Sequence, residues 1–204
     1  MESYLVPAAY GEAEFTEKRS RFIGRVWRTD DETEALERIR ETREAHRDAS
    51  HNVYAYIIRE NNLTRYSDDG EPGGSSGMPT LNVFASKSIQ NVCCVVTRYF
   101  GGTLLGTGGL ARAYSKAAKL ALEAAGIALI EHWSVYRIVC GYSFYDSLLH
   151  IVKECGAEIK SSDFLTDIEL LVYVREDIAD SFEERVLNSS SGKASCVYLT
   201  DESK

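Results

Sequence analysis

With 204 residues, of which 44% are hydrophobic and 26% charged, the chain has the apolar content of a packed core and is not a disordered segment. No apolar run approaches the roughly 20 residues that a bilayer-crossing helix requires. Met1-Glu2-Ser3-Tyr4 lacks the regions of a secretory signal, and the five cysteines show no metal-binding spacing. The formal charge of −8 divides unevenly: −1 over residues 1–130 (16 Lys+Arg, 17 Asp+Glu) and −7 over 131–204 (7 against 14). An acidic chain does not bind nucleic acid indiscriminately. A reduced, cytoplasmic protein with no structural zinc and no membrane association is expected.

The predicted elements open with two strands between Glu14 and Thr29, broken near Lys18-Arg19-Ser20. Lys18, Arg19, Arg21, Arg25 and Arg28 fall there, as a local basic face or as a solvated strand pair. Thr29 and Glu32 have capping-box spacing, and Ala35, Leu36 and Ile39 recur at helical spacing to about Ala45. Asn52–Arg59 and Leu63–Tyr66 read as a hairpin turned at Asn61-Asn62. An acidic glycine-rich loop follows at 67–77, then a short helix from about Met78 to Ala85. The continuous apolar run Asn91–Thr97 reads as a strand buried on both faces, with Cys93 and Cys94 pointing opposite ways. A second glycine-rich stretch, 101–109, opens a helix over Leu110–Ala125 that Gly126 ends. Ala113, Ala117, Ala118 and Ala121 give that helix a small-residue face for close packing on a sheet.

From Ser134 the pattern restarts. Strands over Val135–Tyr142, Ala157–Phe164, Ile168–Val174 and Ala194–Leu199 alternate with helices over Asp146–Cys155 and Asp177–Leu187. The order βαββαβ is the ferredoxin-like arrangement. Two α+β domains are expected, 1–133 and 134–204.

Two constellations carry candidate chemistry. Gly106-Thr107-Gly108-Gly109-Leu110-Ala111 matches G-x-G-x-x-A, but Gly106 lies nine positions past Thr97, not in a tight turn after a strand. A Rossmann site is therefore rejected. The same glycines leave unpaired N–H groups at a helix start, which is an anion site, or else they only permit tight packing. Arg98, Tyr99, Gly101, Gly102, Gly106, Gly108, Gly109 and Arg112 are the candidate anion- or nucleic-acid-binding residues. In the other constellation, Asp68, Asp69 and Glu71 lie near His51, a set suited to acid–base chemistry or a divalent cation such as Mg²⁺, or to loop turns alone. No catalytic residue, metal ligand or cofactor is assigned.

Arg65-Tyr66-Ser67-Asp68-Asp69-Gly70-Glu71-Pro72, Val95-Val96-Thr97-Arg98-Tyr99-Phe100-Gly101-Gly102 and Leu105-Gly106-Thr107-Gly108-Gly109-Leu110 together resemble the signature of the IMPACT/YigZ family. Ser20-Arg21-Phe22-Ile23-Gly24, His51-Asn52-Val53-Tyr54-Ala55-Tyr56, Gly77-x-Pro79 and Arg112-Ala113-Tyr114 fit it as well. The resemblance implies an N-terminal domain similar to domain IV of elongation factor G and to the second domain of a small-subunit ribosomal protein. It implies a C-terminal domain similar to domain V of that factor. Eukaryotic members act in translational control, so a translation-associated protein that contacts RNA or a ribosomal surface is the leading expectation. The alternatives are an enzyme acting on a phosphorylated small molecule through His51 and the acidic loop, and a protein-interaction adaptor resting on the acidic C-terminal domain.

Overall fold

The computed structural model describes residues 3–203. The chain opens with β1 (Tyr4–Pro7), β2 (Gly11–Glu17), β3 (Ser20–Arg28) and α1 (Glu32–Ala45). It continues through β4 (His51–Ile58), β5 (Leu63–Ser67), α2 (Gly77–Ala85), β6 (Val92–Tyr99), α3 (Thr107–Ala125) and β7 (Ile127–Ile130). Strands β2–β3–β6–β4–β5, in that order, form a sheet with every neighbouring pair antiparallel, while β1 and β7 form a separate two-stranded sheet. One compact unit spans Tyr4–Leu129 and a second holds the chain from Ile130 onward.

Strand β6 is buried on both faces, as its unbroken apolar run requires. Val92, Cys94 and Val96 pack with α3 and with Phe84 of α2, whereas Cys93 and Val95 meet Ala35 and Ile39 of α1. The sheet is thus sandwiched, with α1 on one side and α2 and α3 on the other. Burial pushes both the Cys93 and Cys94 thiols up, so neither supplies a thiolate.

Helix α3 lies against the sheet through Ala113, Ala117, Ala118, Ala121 and Ala125, all buried. The strands beneath answer with glycine: a Cβ on Gly24 would stand 2.4 Å from the Ala117 carbonyl oxygen. Small residues on both sides bring helix and sheet backbones into direct contact.

Some expected boundaries differ. The α1 cap is Asp31, not Thr29: its carboxylate accepts from the Glu34 N–H at 2.8 Å, and the Glu34 carboxylate accepts from the Asp30 N–H at 3.3 Å. Thr29 still belongs to the sheet, since its N–H donates to the Asn91 carbonyl, so the capping box shifts two residues along. Helix α3 starts at Thr107, three residues before Leu110, because glycines at 108 and 109 accept helical geometry once a helix follows.

The second unit contains β8 (His132–Cys140), α4 (Tyr142–Glu154), β9 (Glu158–Phe164), β10 (Ile168–Arg175), α5 (Ala179–Ser189) and β11 (Ser195–Ser203). Its sheet order β11–β8–β10–β9, all antiparallel, is the ferredoxin-like βαββαβ fold. The first strand stops at Cys140 rather than at Tyr142, because Gly141 is the cap of α4. Ile138, Leu170, Val172, Leu148 and Phe182 form the core between this sheet and its helices. Among the described residues no helix is long and apolar enough to cross a membrane.

The close approach of α3 generates a stability prediction. Gly24→Ala forces a methyl group into the Ala117 carbonyl and is expected to cost about 3 kcal/mol, the upper end for overpacking. The urea midpoint measures it, and a variant as stable as wild type contradicts the packing described.

Candidate functional site

Sheet register lines up the first components. Phe22 of β3 pairs with Arg98 of β6, and Arg98 pairs in turn with His51 of β4. The three residues form a row across the sheet on the face that carries α3. Tyr99, one residue on, turns to the α1 face, where its hydroxyl meets His46 Nδ1 at 2.8 Å and donates to Asp48 at 3.2 Å. Tyr99 is therefore no part of an arrangement built on Arg98.

The acidic loop between β5 and α2 supplies the partner. Asp68 Oδ1 accepts from the Ser76 N–H (3.0 Å), the Ser76 hydroxyl (2.6 Å) and the Gly77 N–H (2.8 Å), while Oδ2 accepts from the Gly74 N–H (2.8 Å). Burial works to raise this carboxyl, but the Ser76 hydroxyl and the Gly74, Gly77 and Ser76 amides outweigh it and hold it below the ordinary carboxylate value. Asp69 accepts from the Asn52 N–H at 2.7 Å and pairs with Arg43 at 2.6 Å. Asp68 is thus spent on the loop itself, and Asp69 ties the loop to β4 and α1.

Glu71 points inward instead. Its Oε1 lies 2.6 Å from Arg98 Nη1, accepts from the Tyr114 hydroxyl at 2.7 Å and stands 3.8 Å from His51 Nε2. The side chains of Arg98 and Glu71 are only 5% and 4% exposed. Arg98 also reaches the Ser20 hydroxyl at 3.3 Å and lies between the rings of Phe22 and Phe100 (5.5 and 5.3 Å), while its Nε is buried without a partner. His51 Nδ1 lies 2.8 Å from the Asp69 carbonyl oxygen, which can only accept, so Nδ1 carries the hydrogen and Nε2 is the open nitrogen.

The second glycine-rich loop closes the arrangement. Gly101 lies so close to the β2–β3 turn that a Cβ there would stand 2.0 Å from the Arg19 carbonyl oxygen. Gly106, at φ +72°, leads into α3 with no side-chain cap. Among the described residues, no acceptor meets the N–H groups of Thr107, Gly108 or Gly109, and the first helical bond runs from Leu110 to Gly106. Gly106 and Thr107, at the positive end of this 19-residue helix, line a cleft of about 430 Å³, while Gly109 lines a neighbouring groove. The lining of the cleft includes His51, Glu71, Arg98, Phe100, Leu104 and Thr107. The two loops and the Arg98 row therefore meet in one place.

Residues 18–122 match the description of the Impact N-terminal domain, and residues 138–193 match a domain of unknown function (DUF1949). The chain is 33% identical to the IMPACT family member YvyE of Bacillus subtilis, across 95% of this chain and 90% of that one. It is 31% identical to the IMPACT family member YigZ of Escherichia coli, across 98% and 100%. This chain belongs to the IMPACT family. Rat Protein IMPACT is 34% identical over half of this chain and a third of its own length. A solved structure described as a hypothetical protein superposes with a TM-score of 0.62 at 30% identity, covering 98% of both chains.

The matched Impact N-terminal region contains every cleft residue named above. Arg112 lies outside the cleft: it lines an adjoining groove with Lys18, Lys116, Phe15 and Glu17. Lys18 belonged to the basic cluster visible in the sequence, but Lys116 sits in an alanine-rich helix with nothing to mark it. Gly102, at φ +81°, serves the turn and has open space around it. Among the described residues, no three His, Cys, Asp or Glu side chains converge as a metal-binding group.

Arg98 is a structural cation as much as a candidate ligand. Arg98→Ala strands a buried Glu71 carboxylate and is expected to cost about 3–5 kcal/mol in urea unfolding, whereas a double variant, Arg98→Met with Glu71→Leu, recovers most of that loss. Equal destabilisation in the single and double variants contradicts a coupled pair. Asp68 predicts a pH effect. Because its folded carboxyl is held below the ordinary 3.8, its contribution is complete above that value and disappears as the pH falls through the folded one. Wild type is expected to lose more stability on acidification than Asp68→Asn, and parallel acid limbs contradict the assignment.

Proposed function

We propose that this IMPACT-family protein is a translation-associated RNA-binding protein whose cleft in the Tyr4–Leu129 unit takes a phosphate of single-stranded or ribosomal RNA. The observation that carries the reading is the uncapped start of α3, whose Gly106 and Thr107 line the same cleft as the buried Arg98 and whose Thr107 amide meets no acceptor among the described residues. Phe100, 47% exposed on the rim, offers a face on which a base stacks. The near-neutral charge of residues 1–130 leaves that local field uncancelled, in contrast to the −7 of the remainder.

The test is anisotropy of a labelled single-stranded RNA oligonucleotide at two salt concentrations. Binding is expected to weaken as salt rises, because phosphate contacts release counterions. Thr107→Glu places a carboxylate at the exposed first position of α3, where it favours the helix but repels an anion. This variant is expected to melt no lower than wild type and to bind RNA at least about tenfold more weakly. Phe100→Ala is expected to lose about tenfold, the lower range for one stacked base. Salt-insensitive binding, or unchanged affinity in Thr107→Glu, overturns the reading.

One observation favours a second reading, an enzyme acting on a phosphorylated small molecule. His51 is held by the Asp69 carbonyl with Nε2 open near the cleft, the orientation of a proton acceptor. Turnover of a phosphate ester that is lost in His51→Gln while ligand affinity persists favours the enzyme over the binding protein.

A further inference from the structure

Beside the cleft, on the other flank of the first turn of α3, lies a groove of about 240 Å³ lined by Phe15, Glu17, Lys18, Leu105, Gly109, Arg112 and Lys116. Leu105 lines both spaces, so groove and cleft adjoin over one side chain. The groove holds three cations and one acid. Among the described residues, Lys18, Arg112 and Lys116 have no carboxylate within ion-pair distance, and neither does any of them neutralise Glu17. Most other arginines of this unit are paired, including Arg21, Arg25, Arg28, Arg38, Arg40, Arg43 and Arg98. Three unpaired cations gathered in one groove are therefore set apart from the rest of the surface.

The chain places one of these cations, Lys18, by a means that costs stability. Lys18 and Arg19 form the β2–β3 turn with φ of 45° and 67°, a left-handed conformation adopted here without glycine. Ser20, just past the turn, accepts from the Gly101 N–H at 3.2 Å, which ties the turn to the start of the glycine-rich loop. Arg112 extends back along the first turn of α3, its Nη1 3.6 Å from where a Cβ on Gly108 would lie. Lys116, one helical turn on, rests its ammonium 4.3 Å above the Phe15 ring.

We infer that the cleft and this groove form one continuous track for a single-stranded nucleic acid, with one phosphate at the α3 amides and the following phosphates along Arg112, Lys116 and Lys18. The inference rests on the RNA-binding reading and adds the substrate class: a polymer of several nucleotides, not a mononucleotide or a small phosphorylated metabolite. A small ligand has no use for three further cations beyond the site of its own phosphate. A polyanion with evenly spaced charges engages all of them, and Phe100 provides an exposed ring at the cleft end of the track.

The experiment compares a mononucleotide with single-stranded RNAs of two, four and eight nucleotides, on wild type, Lys18→Asn/Lys116→Gln and Thr107→Glu, across a salt series. Asparagine tolerates the left-handed turn and Lys116 is exposed, so the double variant keeps its fold, which a thermal melt verifies. Wild-type affinity is expected to rise at least tenfold from one nucleotide to four. In the double variant that gain falls to a few-fold, and the slope of log K against log salt drops by about 1.4, or 0.7 for each lost phosphate contact. If Thr107→Glu abolishes binding while the double variant keeps the full length gain and slope, the continuous track is wrong and the cleft reading stands. Failure of both variants to alter binding removes the cleft reading as well. An acidic peptide that outcompetes the eight-nucleotide RNA at equal charge overturns the assignment of the groove to nucleic acid.

Discussion

A guanidinium carried on the central strand of a sheet, under a helix, is stable only if a carboxylate reaches it, and here that carboxylate comes from a loop. The Arg98–Glu71 pair fixes more than charge balance. Glu71 can arrive only when the loop between β5 and α2 folds back over the sheet, and Asp68 holds that fold by collecting four donors. Tyr114 of α3 donates to the same oxygen, so one atom links strand, loop and helix. The pair is costly to desolvate, and breaking it costs more than never having had it. The floor of the cleft is thereby braced from three elements at once.

The elements that were legible in the sequence are those whose signal is local. The apolar run over β6 announced burial on both faces, the alanine row of α3 announced close packing, and the restart after Ser134 gave the ferredoxin-like order that the sheet adopts. What was hidden is what depends on distant partners. Arg98 and Glu71 lie 27 residues apart, and nothing in either neighbourhood marks them as a pair. Asp68, Asp69 and Glu71 look alike in sequence, yet two serve the loop and one serves the interior. Tyr99 follows Arg98 directly and faces the other way, a consequence of strand pleating that a list of adjacent residues obscures. Lys116 gains its meaning only from the position of the β2–β3 turn across the groove.

The two units divide electrostatic labour. The Tyr4–Leu129 unit is nearly neutral in sum but uneven, with three cations that lack ion pairs gathered in one groove. The C-terminal unit carries most of the excess negative charge on a regular four-stranded sheet with an ordinary apolar core. The acidity of the second half disfavours a polyanion on that unit.

The stretch from Ser67 to Gly77, rich in glycine and serine yet expected to be an ordered loop, is cross-braced by Asp68. A wall that is already ordered gives up little conformational entropy when a ligand arrives. If the cleft takes RNA as proposed, association does not wait for this loop to close, and complexes with different sequences differ chiefly in how long they last. Under the proposed function, that build favours quick sampling of many RNA segments and retention by those whose bases and phosphates match the cleft.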